Sequence, residues 1–402
     1  MSRPLHVEWV GTYERAYPRT RVLVEGLRAH GVHVTEHHRP VWERTRHKAG
    51  GFLSPGRLAG AGASWAGAWA GLAAAEPRMP GPVDAVVAGY PAQPDVVPAW
   101  MVARARRAPL VVDMMVSLAD TLGDDRGRTG AAATRALAGA DRTALALADI
   151  VLVDTAAGGE FLVRRFGVNP SRIVVAPVGA EPGAFPPGPV PRGACHALWY
   201  GKLSPMHGID VILDAARIPG TPPIRLVGEG QLDAWLADEL RRDPPAALEH
   251  VPWVPYERLG DEVASCGMVL GIFGRSDKAS RVVPNKVFQA MAAGRPVITA
   301  DTPGIREVLT HGRDGVLVPA GEPAALAAAL MSMAADADAR ERLGAAARDT
   351  YERTGTPERA AAPLVQAIEA HRASRGARGG RGARGGRAGR GSRGGSGTGA
   401  TA

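Results

Sequence analysis

Cysteine is nearly missing from this chain: Cys195 and Cys266 are the two among 402 residues. They form neither a disulfide framework nor the paired spacing of a zinc site, so a reducing compartment and no bound metal are expected. No apolar run approaches the roughly eighteen residues that cross a bilayer, and the N-terminus has no signal-peptide core. These absences exclude stapled secreted scaffolds, zinc modules and membrane-spanning proteins. They point to a cytoplasmic protein that at most rests on the inner face of a membrane. Aromatic residues are scarce, at 5%. Acidic residues are missing altogether from Arg372 to Ala402, where arginine recurs at every third position from 372 to 393 among Gly, Ala and Ser. Those eight arginines account for the whole +8 formal charge, so residues 1–371 carry no net charge. A nucleic-acid reading is thereby weakened, because the folded body is neutral and the basicity is a tail. The tail cannot bury apolar surface and is expected to be disordered, with weak affinity for RNA or anionic lipid. It has no aromatics to stack on bases.

What is present is 45% apolar sequence, enough for two domains with a core each. Short β-rich runs alternate with helical patterns, the signature of α/β layers around parallel sheets. In the first half the expected strands are His6–Gly11, Val32–His37, Ala85–Gly89, Leu110–Met114, Ile150–Asp154 and Ile173–Pro177. In the second half they are Ala197–Gly201, Ile224–Gly228, Val251–Val254, Met268–Phe273, Pro296–Thr299 and Gly315–Val318. Between the halves lies GAEPGAFPPGPVPRG, a Pro/Gly-rich linker. The expected organisation is a domain over 1–178, a linker over 179–193, a second domain over 194–356, a helix over 357–371 and the tail over 372–402.

The most informative stretch is KASRVVPNKVFQAMAAGRPVITADTPGIREVL, Lys278 to Leu309. A helix opened by Pro284 ends at Gly294, a short strand follows, and a Thr302-Pro303-Gly304 turn enters another helix. Proline suits the first helical turn and glycine the helix end. Polar groups and helix N–H groups can thus converge on one crevice and hold a phosphorylated ligand. The run closely resembles the donor-binding core of retaining GT-B glycosyltransferases of the family 4 type, matching at Pro284, Lys286, Met291, Ala292, Gly294, Pro296, Val297, Gly304 and Glu307. The resemblance implies two Rossmann-like α/β domains facing a central cleft, with the last helix crossing back to the first domain.

WYGKLSPMHGIDVILDAA resembles another stretch of the same family, with Lys202 in place of its arginine and His207 in place of its lysine. Lys202 is thereby implied as a diphosphate contact and catalytic cation, and His207 as a second contact whose charge depends on pH. Gly228 and Glu229 resemble the second nucleotide-facing loop, and Trp253 lies in the segment whose backbone meets the nucleobase. Two glutamates of the family are replaced here by Arg281 and Gln289. Gln289 still accepts a ribose hydroxyl bond, whereas Arg281, like Lys278, suits phosphate. The donor sugar's hydroxyls would then turn to Asp277 or to carbonyls around Gly274. Asn285, Lys286, Gly304 and Glu307 complete the donor set, with Gly11 reaching it from the first domain.

In open α/β sheets ligands sit beyond the carboxyl ends of strands. That rule singles out the loop after Gly11, where Tyr13, Arg15 and Arg19 are candidate acceptor contacts. It also singles out Asp113 and Asp120, candidates to orient an acceptor hydroxyl or take its proton. Trp42, Arg44, Arg46, His47, Lys48 and Phe52 precede a helical face of Trp65, Trp69 and Leu72. That face fits either peripheral contact with a membrane interface or the core.

The resemblance thus implies a metal-independent glycosyltransferase using no cofactor. Its partners would be a nucleotide sugar as donor and a glycan, lipid-linked or small-molecule acceptor. Two rivals stand beside it: a sugar-nucleotide epimerase or phosphorylase, and an inactive binding protein recruited through its arginine-rich tail.

Overall fold

The computed structural model describes residues 3–41, 55–75, 81–125 and 130–385. The basic aromatic stretch Trp42–Phe52 and the tail beyond Gly385 lie outside the described residues. The first half runs β1 (His6–Gly11), α1 (Pro18–Ala29), β2 (His33–His38), α2 (Pro55–Ala75), β3 (Ala85–Ala88), α3 (Val96–Arg106) and β4 (Leu110–Asp113). It continues with α4 (Ala131–Leu147), β5 (Ile150–Val153), α5 (Ala156–Phe166) and β6 (Ile173–Val175). These six strands form one parallel sheet in the order β2-β1-β3-β4-β5-β6. Helices on both faces explain why its central strands read as unbroken apolar runs. Val86, Leu110, Val112 and Val151 pack to one side, and Val87, Val111 and Leu152 to the other.

The second half repeats the pattern. It runs β7 (Ala197–Tyr200), α6 (Ile209–Arg217), β8 (Ile224–Val227), α7 (Asp233–Arg242), β9 (Leu248–Val251), α8 (Leu259–Ser265) and β10 (Met268–Leu270). Then come α9 (Asp277–Arg281), α10 (Asn285–Ala292), β11 (Val297–Ala300), α11 (Pro303–Arg306), β12 (Val316–Val318), α12 (Pro323–Ala335) and α13 (Ala337–Thr354). Its parallel sheet is ordered β12-β11-β10-β7-β8-β9. The Pro/Gly-rich segment between the halves is laid along the second one. Arg295 donates to the Gly188 carbonyl at 2.7 Å and Arg340 to that of Pro191 at 3.0 Å.

α14 (Pro357–Gly385) packs against α1 in the first half, where Ala361, Leu364 and Ile368 join Leu23 and Leu27 in one fully buried cluster. The chain therefore crosses from the second unit back to the first. α14 also continues past Arg372, where disorder was expected to begin. Glycine-rich as this segment is, its arginines and alanines favour helix, and the turns ahead of them are already fixed by packing.

Most strands differ from their expected spans by one to three residues at an end, and one is displaced. β9 ends at Val251 rather than starting there, because Pro252 and Pro255 have no N–H for a ladder. The Trp face of α2 turns inward: Trp69 is buried, and Trp65 and Trp69 donate indole N–H bonds to Asp95 at 3.2 and 2.7 Å. The core reading of that face holds, since a buried carboxylate needs such donors. No helix among the described residues is long and apolar enough to cross a membrane.

Candidate functional site

Each sheet has one place where the chain reverses the direction in which it adds strands. In the first this is between β1 and β3, and in the second between β7 and β10. Loops leaving neighbouring strands part there, opening a crevice beyond the strand ends. The two crevices face each other across a cavity of about 450 Å³. The first sheet contributes Tyr17 after β1 and Tyr90 after β3; the second contributes Gly201, Lys202, Ser204 and His207 after β7. The helices following β10 contribute Lys278, Asn285, Lys286 and Gln289.

Close glycine contacts build the floor on the second side. Gly201 and Gly228 end adjacent strands at φ of +144° and +149°. A Cβ on Gly228 would stand 1.8 Å from the Gly201 oxygen. These two turns can lie together only as glycine.

Lys286, in the first turn of α10, is a buried polar group left unsatisfied by the fold. It is 5% exposed, its amine has no hydrogen-bond partner, and the nitrogen sits 3.7 Å from the Trp199 ring centre. A Cβ on Gly201 would be 3.4 Å from that amine. Burial alone drives its pKa well below the usual lysine value. Lys202 is exposed at the mouth of the cavity. His207 Nδ1 meets the Lys202 carbonyl and lies 3.2 Å from Ser204 Oγ, just ahead of the N-terminus of α6. Gln289 accepts a bond from the Tyr200 hydroxyl at 2.9 Å. Asn285 bonds Tyr17 across the cavity, and burial raises the Tyr17 pKa. Cations, two helix N-termini and neutral polar groups thus converge on one volume, a setting suited to a polyanionic ligand.

Other expected site residues are engaged elsewhere. Tyr13 is fully buried, with its hydroxyl on Glu36 at 3.1 Å, and Arg15 pairs with the same carboxylate at 3.1 Å. Arg19 and Asp113 form a buried pair at 2.9 Å, and Arg19 also reaches the Ala176 carbonyl. Neither Tyr13, Arg15 nor Arg19 lines the cavity, and Asp113 is neutralised beneath it. Gly11 abuts Asp95 so closely that a Cβ would come within 2.4 Å of its carboxylate oxygen. Glu229 is exposed outside the cavity, and Trp253, past the end of β9, is 66% exposed. Gly304 lets α11 press on the Arg281 backbone, 2.7 Å from where a Cβ would stand.

A further group clasps the two units together. Arg281 pairs with Asp120 at 2.8 Å and lies over the Phe161 ring, while Lys278 donates to Thr121. The Thr155 hydroxyl donates to the Arg281 carbonyl at 2.6 Å. Glu307 accepts from the N–H groups of Ala156 and Ala157, at 2.7 and 2.9 Å, capping α5 of the first unit. Arg281 and Glu307, expected at the donor, are here cross-cleft contacts, and Asp120 is occupied by Arg281. Asp154, directly after β5, lines the cavity and escaped the sequence reading. The strand-end rule that singled out Asp113 applies to it equally.

Comparisons with known proteins agree with this geometry. Residues 194–336 match the family described as glycosyl transferases group 1. A D-inositol 3-phosphate glycosyltransferase of Xylanimonas cellulosilytica is 29% identical over 245 residues, covering 55% of this chain and 57% of the relative. The chain thus spans little more than half the length of that relative. Among solved structures, sucrose-phosphate synthase from Thermosynechococcus elongatus superposes with a TM-score of 0.70 at 16% identity. HepE from Anabaena in complex with UDP-glucose gives 0.64 at 14% identity. Each structural match covers 92% of this chain and 100% of the other. Residues 194–336 are accordingly similar to the glycosyl transferases group 1 family, carried in a chain of GT-B fold.

Proposed function

We propose that this protein transfers a sugar from a nucleoside diphosphate sugar to a hydroxyl of a small polar or glycan acceptor. The observation that carries the reading is the Lys286 amine, buried without a hydrogen-bond partner beside the end of β7. A fold keeps such a group when a ligand supplies the missing charge. A diphosphate in the cavity would meet Lys286 from below, Lys202 at the mouth and the N-termini of α6 and α10. These fixed groups would stabilise charge as the sugar–phosphate bond breaks, with little reorganisation. Tyr200 and Gln289 offer neutral hydrogen-bonding groups to the rest of the nucleotide.

The name of the Xylanimonas relative supports a phosphorylated polyol as one acceptor class, and the HepE complex supports uridine diphosphate among the bases to test. The direct test is thermal-shift screening against UDP-, GDP-, ADP- and TDP-sugars, followed by transfer assays with the sugar that binds. Selective stabilisation by one nucleotide class, then acceptor-dependent release of the nucleoside diphosphate, is the expected result. A folded protein that binds none of them is no transferase of this kind.

A further inference from the structure

Resting on that transferase reading, we infer that the acceptor is an uncharged sugar ring seated on Tyr17 and Tyr90. The cavity between the two units has unlike walls. The second unit lines it with Lys202, Lys278, Lys286 and His207. The first unit lines it mainly with Tyr17, Pro18, Tyr90, Met115 and Val116. Among the described residues, no cation of the first unit lines the cavity. Arg15 and Arg19, which lie in the loop beside Tyr17, are bound instead to Glu36 and Asp113.

The two tyrosines are held in place before any ligand arrives. Their ring centres lie 4.7 Å apart with the planes 38° from parallel. The loop after β1 is tied to the loop after β3 by the Glu14 N–H, which donates to the Tyr90 carbonyl at 2.9 Å. Asn285 bonds the Tyr17 hydroxyl from the other side of the cavity. Both rings are half-buried, so each keeps some surface open. Side chains fixed in this way lose little freedom when a ligand settles on them.

The chemistry of that wall chooses the occupant. An aromatic face carries negative charge density, so it attracts polarised C–H groups and repels anions. A pyranose presents such C–H groups on its ring faces, with hydroxyls around the rim. Asp154, on the same wall, offers an acceptor to a rim hydroxyl. A phosphate set against this wall would meet aromatic faces and a carboxylic acid. The ring belongs to the acceptor because the wall lies opposite Lys202 and Lys286, the groups assigned to the donor diphosphate. Of the acceptors considered above, the wall thus favours a glycan or glycoside over a phosphorylated polyol.

Two measurements test this, both with the sugar nucleotide that the screen identifies. The first compares methyl glycosides of glucose, galactose and mannose with D-inositol 3-phosphate as stimulants of nucleoside diphosphate release. At least one glycoside should accelerate release, and the inositol phosphate should not. The second uses Y90L, which keeps an apolar side chain without the ring, and Y90F, which keeps the ring. Y90L should raise the acceptor KM about 3- to 10-fold with donor affinity within about twofold, and Y90F should recover most of that loss. Weaker donor binding in Y90L with an unmoved acceptor KM would seat the nucleotide on these rings and overturn the inference. Release that no glycoside accelerates overturns it as well, while leaving the transferase reading intact. Should Y90L not fold, the comparison of acceptors on the unsubstituted protein still decides. No binding of any sugar nucleotide by the unsubstituted protein would instead remove the transferase reading itself.

Discussion

Lys286 and Asp113 show how differently one rule of sequence reading can end. Both were singled out by position, one in a motif and one at a strand end. Lys286 stands in the cavity with no hydrogen-bond partner, whereas Asp113 is held by Arg19, which is 94 residues away in sequence. Position along the chain locates a side chain; its neighbours decide whether it is available, and those come from tertiary packing. Tyr13, Arg15 and Arg19 are likewise engaged by Glu36 and Asp113 rather than turned to the cavity. Asp154 lines the cavity and was missed because its segment carries no motif. At this scale the sharpest prediction concerns Lys286→Met. Removing a buried amine that has no hydrogen-bond partner should stabilise the free protein by about 1–3 kcal/mol. It should also abolish the rise in Tm that a sugar nucleotide gives. The unsubstituted protein, by contrast, should take up a proton on binding, since a diphosphate restores the charge that burial suppresses. Calorimetry in buffers of different ionisation enthalpy would register that uptake; a destabilised K286M that still binds donor contradicts the assignment.

Elements were more legible than residues, for a physical reason. A strand buried on both faces must be apolar throughout, so runs such as IVLV and LVV announce themselves. β9 was displaced because LEHV is mixed, while the brighter VPWV beyond it contains proline. α2 was ambiguous because a stripe of tryptophans suits a lipid interface or a core equally, and the deciding partner, Asp95, sits on another element. The loops depend on glycine in a way the sequence hints at but does not quantify. Gly228→Ala forces a side chain into positive φ and against the Gly201 carbonyl. The φ strain alone is about 1–3 kcal/mol. Chemical denaturation should show at least that loss, together with weaker donor binding as the β7 and β8 turns part. An unperturbed midpoint would mean that these turns yield more easily than their spacing implies.

For the whole molecule, the two-sheet plan was readable from the restart of the strand pattern after residue 193. The clasp across the cleft was not, since Arg281–Asp120 and Glu307–Ala156 join residues more than a hundred positions apart. The return of α14 to α1 makes the first unit discontinuous. Ending the chain at residue 356 would expose Leu23 and Leu27 and discard Leu364 and Ile368, each fully buried apolar side chain contributing about 1.5–3 kcal/mol. That truncation should aggregate or bind a hydrophobic dye, whereas ending the chain at residue 385 should leave Tm unchanged. A soluble, fully cooperative 1–356 protein would show that α14 is dispensable.

The route of α14 also bears on biosynthesis. The lobe that leaves the ribosome first lacks its final covering helix until nearly all of the second lobe has been made. Nascent chains should therefore hold an apolar groove along α1 open through most of translation. Completion of the earlier lobe is thus timed by the emergence of the later one, and a stalled chain would present that groove to chaperones.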